Sequence, residues 1–502
     1  MMTASDHQPG PRRRRSRRRT LLFHLVAAML VLCPLVLGEL VLRLLVPTPP
    51  VRGEDPYVSF ASQRPLFVLD DTGTRFETAP ERLVAFRPQS FAATKSKETL
   101  RVFCLGGSTV QGRPYSVETS FTTWLALNLQ AARPDIDWEI VNCGGISYAS
   151  YRLVPVMREV LGREPDLVIL YAGHNEFLED RTYQTPKKTP RSLTWLHRTM
   201  LHLRSYALAD RWLARRRTQR TSRTVLPADV RTRLDLSEGL QSYHRNPTWR
   251  QGIIEHFGDN LETMIRLAHR AGVPVILANP VSNLKDCPPF KSEFKADLSP
   301  AQRQRVAELW EQARRLDWSR VHDKIELFEQ ALAIDDRHAG LLFGTGTCYR
   351  QIGRSAEARK WLVRAKEEDI CPLRILEPMH EIILEMAARH RLPLVDIRAM
   401  IETRTEDGIP GNEWLLDHVH PTISAHQLIA DALYQAMVEM GHVQTPDHWE
   451  AARDELRRRH LASLNEAYYA RGLARLRRLQ EWSRGRIPDP PREPADPPAE
   501  TP

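Results

Sequence analysis

Cysteine is scarce in this 502-residue chain. Its six cysteines are too few and too dispersed for a small disulfide-framework protein. There is no Walker-type phosphate loop and no cysteine–histidine cluster with zinc spacing. Neither a metal nor a cofactor is therefore expected. An excess of one charge is also missing from most of the chain. The net charge is +9, but residues 1–19 hold seven arginines against one acid, Asp6, so the other 483 residues carry only +3. That distribution excludes a protein that grips nucleic acid along its length. Proline is plentiful, at 36 residues, but falls in loops and a tail without a period, so a collagen-like rod is excluded. What remains is 42% apolar and 26% charged, enough to build a large core. The length predicts two to four folded units.

One long apolar run follows the arginines. Residues 21–38 carry no formal charge, and after Glu39 the run resumes with Arg43 as its only further charge before Pro47. Roughly 20 apolar residues cross a bilayer, so a transmembrane signal-anchor helix is expected over residues 20–45. Glu39 and Arg43, four apart, can pair at its end. The arginines place residues 1–19 in the cytoplasm and the rest of the chain outside it, in the periplasm if the envelope has two membranes. A signal peptide cleaved before Glu39 is the alternative. Conditions outside the cytoplasm favour disulfides. Cys287 and Cys371 each precede proline and bracket a helical segment described below, which makes them the candidate pair.

Residues 46–98 begin as a Pro-rich linker and continue with weak strand signals. Short apolar strands then alternate with helices. Strands are predicted at 99–105, 138–143, 166–171, 273–278 and 392–397, and helices at 121–132, 151–161, 249–271 and 422–440. This rhythm predicts a parallel sheet covered on both faces, with ligands at the C-terminal ends of its strands. Two stretches interrupt it. Residues 181–247 form a basic insert rich in Trp, His and Leu, with a helical patch at 193–217. It reads as a lid, a surface for anionic lipid, or a solvated helix packed on the core. Residues 298–369 read as helices in which a 34-residue spacing relates Phe328 to Leu362 and Ala331 to Ala365. Leu342, Gly346, Tyr349, Ala358, Leu362 and Ala365 fit a tetratricopeptide-like helix pair, with small residues where two helices cross. Charged helices follow at 443–486, and the Pro-rich tail at 487–502 is expected to be disordered.

Four short motifs carry chemistry. Gly106-Gly107-Ser108-Thr109 follows the first strand, where a tight turn exposes the serine hydroxyl. A serine needs a base to take its proton, and the base needs an orienting acid. Asp417-His418-Val419-His420-Pro421 provides both. Asp417 and His420 lie three apart on a turn entering a helix, with Pro421 at its start, while His418 points elsewhere. A helix-capping Asp beside a surface His is the plainer reading of that piece alone. Gly144-Gly145 after the second strand and Gly173-His174-Asn175-Glu176 after the third can supply N–H donors to an oxyanion. His174 reads first as a structural residue, with contact to substrate as the alternative.

In their order along the chain, these motifs resemble those of the SGNH hydrolases, also called GDSL-type esterases and lipases. The resemblance covers residues 99–290 and 372–440. It implies a flavodoxin-like three-layer α/β/α sandwich with a parallel five-stranded sheet. Ser108 becomes the nucleophile, Asp417 the orienter and His420 the base. Asn175, the Ser108 N–H and Gly145, with Gly144 as its alternative, complete the oxyanion hole. Gly107 stands where the family name has Asp, and Glu176 where Asp often follows the Asn. The expected organisation is a basic tail (1–19), an anchor (20–45), a linker and N-terminal extension (46–98), a hydrolase domain in two parts (99–290 and 372–442) around a tetratricopeptide-like insertion (291–371), C-terminal helices (443–486) and a tail (487–502). The implied activity is acyl-ester cleavage, on an acylated carbohydrate or a lipid. An O-acetyltransferase or deacetylase of cell-envelope polysaccharide with the same triad is the alternative. A scaffold that binds a protein partner through the insertion and has lost activity is a second.

Overall fold

The computed structural model describes residues 26, 33–34, 37–42, 55–62, 64–183, 205–206 and 224–484. The chain divides into two compact units, residues 1–53 with 186–222, and residues 54–185 with 223–502. In the first, residues 37–42 are helical, and the N–H and hydroxyl of Ser205 donate to Glu39 Oε2 at 3.0 and 2.9 Å. Among the described residues no helix is long and apolar enough to cross a membrane. The expected anchor at 20–45 falls mostly outside them, as do nearly all of the helical patch at 193–217 and the tail at 487–502.

The second unit is built on five parallel strands: β1 (Thr99–Gly106), β2 (Asp137–Gly144), β3 (Leu167–Tyr171), β4 (Val275–Asn279) and β5 (Leu394–Asp396). Their order across the sheet is β5-β4-β3-β1-β2, the order of flavodoxin-like doubly wound sheets. Each predicted strand is present, with ends shifted by one or two residues. Successive side chains point to opposite faces, so each strand feeds two cores. Phe103 and Leu105 of β1 join one cluster, and Val102 and Cys104 the other. Each fully buried Leu, Ile or Phe contributes about 1.5–3 kcal/mol.

The helices that cover these faces follow the expected periodicity. Helix α1 (Phe121–Ala132) packs Trp124, Leu125 and Leu129 on the second cluster. Helices α2 (Ser150–Val160) and α3 (Pro247–Ala271) cover the first with Leu153, Met157, Phe257 and Met264. Asn246 caps α3 through the Trp249 N–H, and Gly272 ends it at φ 71°. N-terminal to β1, residues 67–69, 75–78 and 90–92 form a small antiparallel sheet. Glu159 of α2 ties it down by accepting the N–H groups of Leu66 and Phe67 at 2.7 and 2.8 Å.

Between β4 and β5 the chain makes five α-helices, of which the first four form the insertion: α4 (Pro300–Arg315), α5 (Val321–Ile334), α6 (Ala339–Gln351) and α7 (Ser355–Glu367). Phe328, Ala331, Leu362 and Ala365, related by the 34-residue spacing, are all buried. Glycines on α6 lie against large side chains, Gly340 against Trp310, Gly344 against Phe328 and Gly346 against Leu362. The neck of this insertion is pinned by Asp369. Its carboxylate accepts N–H groups from the entering leg (Phe290 at 2.9 Å, Lys291 at 3.1 Å) and from the leaving leg (Cys371 at 3.1 Å). The expected Cys287–Cys371 disulfide is not formed, because both thiols are free. Cys371 is buried against Tyr243, whereas the Cys287 thiol points to the Pro288 carbonyl. The Asp369 bonds close the neck instead.

Helices α8 (Glu377–His390), α9 (Ile423–Glu439), α10 (Trp449–Ser463) and α11 (Glu466–Ser483), with a short helix at Ile397–Arg404 after β5, complete the unit. Helix α8 adds Met379 and Ile383 to the first cluster, and α9 adds Ile429 and Leu433 to the second.

Burial holds six histidines of this unit neutral. His174, His256, His338, His380, His418 and His426 all lie below the usual histidine range, with His418 pushed down to about 4 and His426 to about 3. In the unfolded chain they take up protons near pH 6.5. Their contribution to stability is complete above that pH and is lost as the pH falls below it. Asp369 works the other way. Burial raises it to about 6, so its protonation favours the folded state as the pH falls past 6. Glu176 is raised by burial as well, but six histidines outweigh two carboxyls. The melting temperature is expected to fall by about 5 °C or more between pH 7.5 and 5, and thermal melts across that range would expose an error if it held steady or rose.

Candidate active site

The C-terminal ends of β1, β2 and β3 bring the sequence motifs together. β1 ends at Gly106, Gly107 continues extended, and Ser108 opens a single helical turn, Ser108–Gln111. A Cβ on Gly107 would lie 2.5 Å from Asn175 Nδ2, so only glycine lets that amide approach the serine. Asn142 of β2 fixes the turn by donating from Nδ2 to the Val110 carbonyl at 2.7 Å. Ser120 donates its hydroxyl to the same carbonyl at 2.7 Å.

The base arrives from the turn before α9. Leu415 and Pro421 form an antiparallel bridge, the Leu416 N–H donates to the His420 carbonyl at 2.8 Å, and the Asn283 N–H donates to the His418 carbonyl at 2.9 Å. The chain thus folds back on itself and onto the exit of β4. Ser108 Oγ lies 2.8 Å from His420 Nε2, and His420 Nδ1 lies 2.7 Å from Asp417 Oδ2. The other carboxylate oxygen, Oδ1, accepts the N–H groups of Val419 at 2.8 Å and His420 at 2.9 Å. Burial raises the Asp417 pKa, but His420, His418 and the hydrogen bonds outweigh it and hold the group well below the usual carboxylate range. An ionised Asp417 fixes the tautomer with the proton on Nδ1, so Nε2 accepts from the Ser108 hydroxyl. The set is enclosed, with Ser108 8% exposed and His420 2%.

His418 stands beside this line, with its Nδ1 3.5 Å from Asp417 Oδ1, and does not reach Ser108. It packs edge-on against Phe290 at 5.2 Å between ring centres. Glu176 is wholly buried and accepts the N–H and hydroxyl of Ser150 at 2.7 and 2.9 Å, which fixes the loop after β3 to the start of α2. Among the described residues no three His, Cys, Asp or Glu side chains converge as metal ligands.

The oxyanion donors differ from expectation. Asn175 Nδ2 donates one hydrogen to the Tyr148 carbonyl at 3.0 Å, which leaves its second hydrogen for a ligand. The expected Gly145 donor is already used, because its N–H donates to the Gly106 carbonyl at 3.0 Å. Gly144 donates to Asn142 Oδ1 at 2.9 Å. Sequence reasoning missed Ser147, which adopts the left-handed conformation at φ 59°. It precedes Tyr148, whose carbonyl lies 3.4 Å from the Cβ position of Gly107. Among the described residues the backbone N–H groups of Ser147 and Ser108 have no hydrogen-bond partner. A non-glycine residue at positive φ is uncommon and clusters at functional sites, but no motif in the sequence marks it.

No family model and no curated protein matches the chain. Solved structures similar to it include a lipase/acylhydrolase from Enterococcus faecalis, with 13% identity, a TM-score of 0.31, and coverage of 69% of this chain and 99% of that one. A GDSL-like lipase from Bacteroides thetaiotaomicron has 13% identity, a TM-score of 0.30, and coverage of 70% and 93%. An acetylxylan esterase from Geobacillus stearothermophilus has 12% identity, a TM-score of 0.30, and coverage of 69% and 96%. Likeness at this level sets neither substrate nor mechanism, which rest on the side chains of this chain itself.

Proposed function

We propose that the protein is a serine esterase of the SGNH type that cleaves acyl esters through a covalent acyl-enzyme. The observation that carries this reading is the unbroken line Ser108–His420–Asp417, with a 2.8 Å step between residues 312 positions apart and a 2.7 Å step between His420 and Asp417. Ser108 Oγ attacks the ester carbonyl carbon as its proton passes to His420 Nε2. Asp417 keeps the Nδ1 proton and stabilises the imidazolium. The oxyanion accepts from the free hydrogen of Asn175 Nδ2 and from the N–H groups of Ser108 and Ser147. The C–O bond to the alcohol then breaks, and His420 returns the proton to the departing oxygen. Water attacks the acyl-enzyme, gives a proton to His420, and releases the acid as Ser108 is reprotonated. Fluorophosphonate labelling at Ser108 together with turnover of short p-nitrophenyl esters tests this reading, and a chain that shows neither would be a scaffold.

Asn175→Ala removes one oxyanion donor. It is expected to lower kcat by about 10²–10³-fold with little change in KM, as measured by initial rates on p-nitrophenyl acetate.

Transfer to an acceptor other than water is a second reading. The low exposure of Ser108 and His420 favours it, since a transferase must keep water from the acyl-enzyme. Turnover that depends on an added polysaccharide acceptor, with little background hydrolysis, would select it. In either case we place the catalytic unit outside the cytoplasm, tethered by the apolar segment at 20–45, and we read the four inserted helices as tetratricopeptide-like and suited to a protein partner.

A further inference from the structure

His174 follows Gly173 on the loop after β3 and precedes Asn175. It is 5% exposed. Its Nδ1 accepts the Ile375 N–H at 3.3 Å, so the ring proton of the neutral form sits on Nε2, at the opposite edge of the ring. Among the described residues Nε2 has no hydrogen-bond partner, although it is shielded from solvent. A buried donor without an acceptor costs folding free energy, and native chains rarely keep one without a use.

The loop that carries it is held in place. Gly173 takes φ 138°, and a Cβ there would strike Ile375 Cδ1 at 2.6 Å. The Ile375 carbonyl in turn accepts from Lys366 Nζ of α7 at 2.8 Å. The last helix of the insertion therefore braces Ile375, the residue whose N–H fixes the His174 tautomer. His174 adjoins Asn175, the proposed oxyanion donor, in the chain, and His418, His420 and Asp417 are its electrostatic neighbours.

From this geometry we infer that His174 is a specificity residue, whose Nε2–H donates to a second, uncharged oxygen of the ester substrate beyond the scissile carbonyl. The inference rests on the esterase reading of the same site. Burial, reinforced by His418 and His420, holds the pKa of His174 well below the usual range. The donor is thus neutral at working pH and suits a hydroxyl, ether or carbonyl oxygen better than a phosphate or carboxylate.

Two pairs of near-isosteric esters test it. 2-Methoxyethyl acetate against butyl acetate places the oxygen on the alcohol side. p-Nitrophenyl methoxyacetate against p-nitrophenyl butanoate places it on the acyl side. For the wild type and for His174→Phe, the ratio of kcat/KM within each pair is compared, so that intrinsic reactivity cancels between the two proteins. In one pair the wild-type preference for the oxygen-bearing ester is expected to exceed that of the variant by about three- to tenfold. His174→Gln, which keeps an N–H donor, should restore part of it. Equal ratios in wild type and His174→Phe for both pairs would overturn the assignment. Fluorophosphonate labelling separates the two levels: a labelled wild type with unaltered ratios refutes the role of His174 alone, and an unlabelled, inactive wild type refutes the esterase reading itself.

Discussion

Replacing Ser108 with alanine is expected to cut kcat/KM on short p-nitrophenyl esters by about 10⁴-fold or more and to abolish fluorophosphonate labelling. The fold should survive. The hydroxyl makes a single hydrogen bond, to His420 at 2.8 Å, and the turn that carries it is held by Asn142 and Ser120 through the Val110 carbonyl. The backbone N–H of residue 108 stays in place, so residual catalysis from the oxyanion donors alone is retained. Ester hydrolysis at the wild-type rate by a folded Ser108→Ala protein would remove the nucleophile from this scheme.

Asp417→Asn is nearly isosteric, yet it is expected to lower kcat by about 10⁴-fold. The two oxygens of Asp417 both accept, Oδ2 from the imidazole and Oδ1 from two backbone N–H groups. An asparagine has only one acceptor to offer. If its NH₂ faces the backbone, donor meets donor and the turn loses two bonds. If it faces His420, Nδ1 must accept, the ring proton moves to Nε2, and the imidazole can no longer take a proton from Ser108. Either orientation disables the base. An Asp417→Asn variant within tenfold of wild type would show that the carboxylate does not set the tautomer.

Much of this site is legible in the sequence because its parts sit at strand ends. The apolar runs that become β1, β2 and β3 are short and bounded, so Ser108, Gly144 and Asn175 fall at one rim as soon as the strands are parallel. Asp417 and His420 are legible because a three-residue spacing just ahead of a helix leaves few other geometries, although Pro421 precedes the Thr422 cap instead of opening the helix. The second backbone donor proposed above, Ser147, is not legible. Gly145 invites the role because glycine is common beside oxyanions, but its N–H is taken by the neighbouring strand end, and the left-handed turn falls two residues later on a serine. Positive φ at a non-glycine is set by tertiary packing and leaves no compositional trace. The cysteine pair fails for a similar reason. Position in sequence placed Cys287 and Cys371 at the neck, but only side-chain direction decides bonding, and there Asp369 does the tying. The insertion was visible as a 34-residue spacing, whereas the Lys366–Ile375–His174 contact, which joins it to the site, depends on which way a loop leaves a helix.

The four inserted helices lie between the nucleophile and its base along the chain. A growing polypeptide that has displayed Ser108 therefore holds an ordinary, unreactive alcohol until more than three hundred further residues have been made and packed. On the esterase reading the chain is silent during its own biogenesis, and Ser108 becomes reactive only once the segment bearing Asp417 and His420 closes onto the sheet.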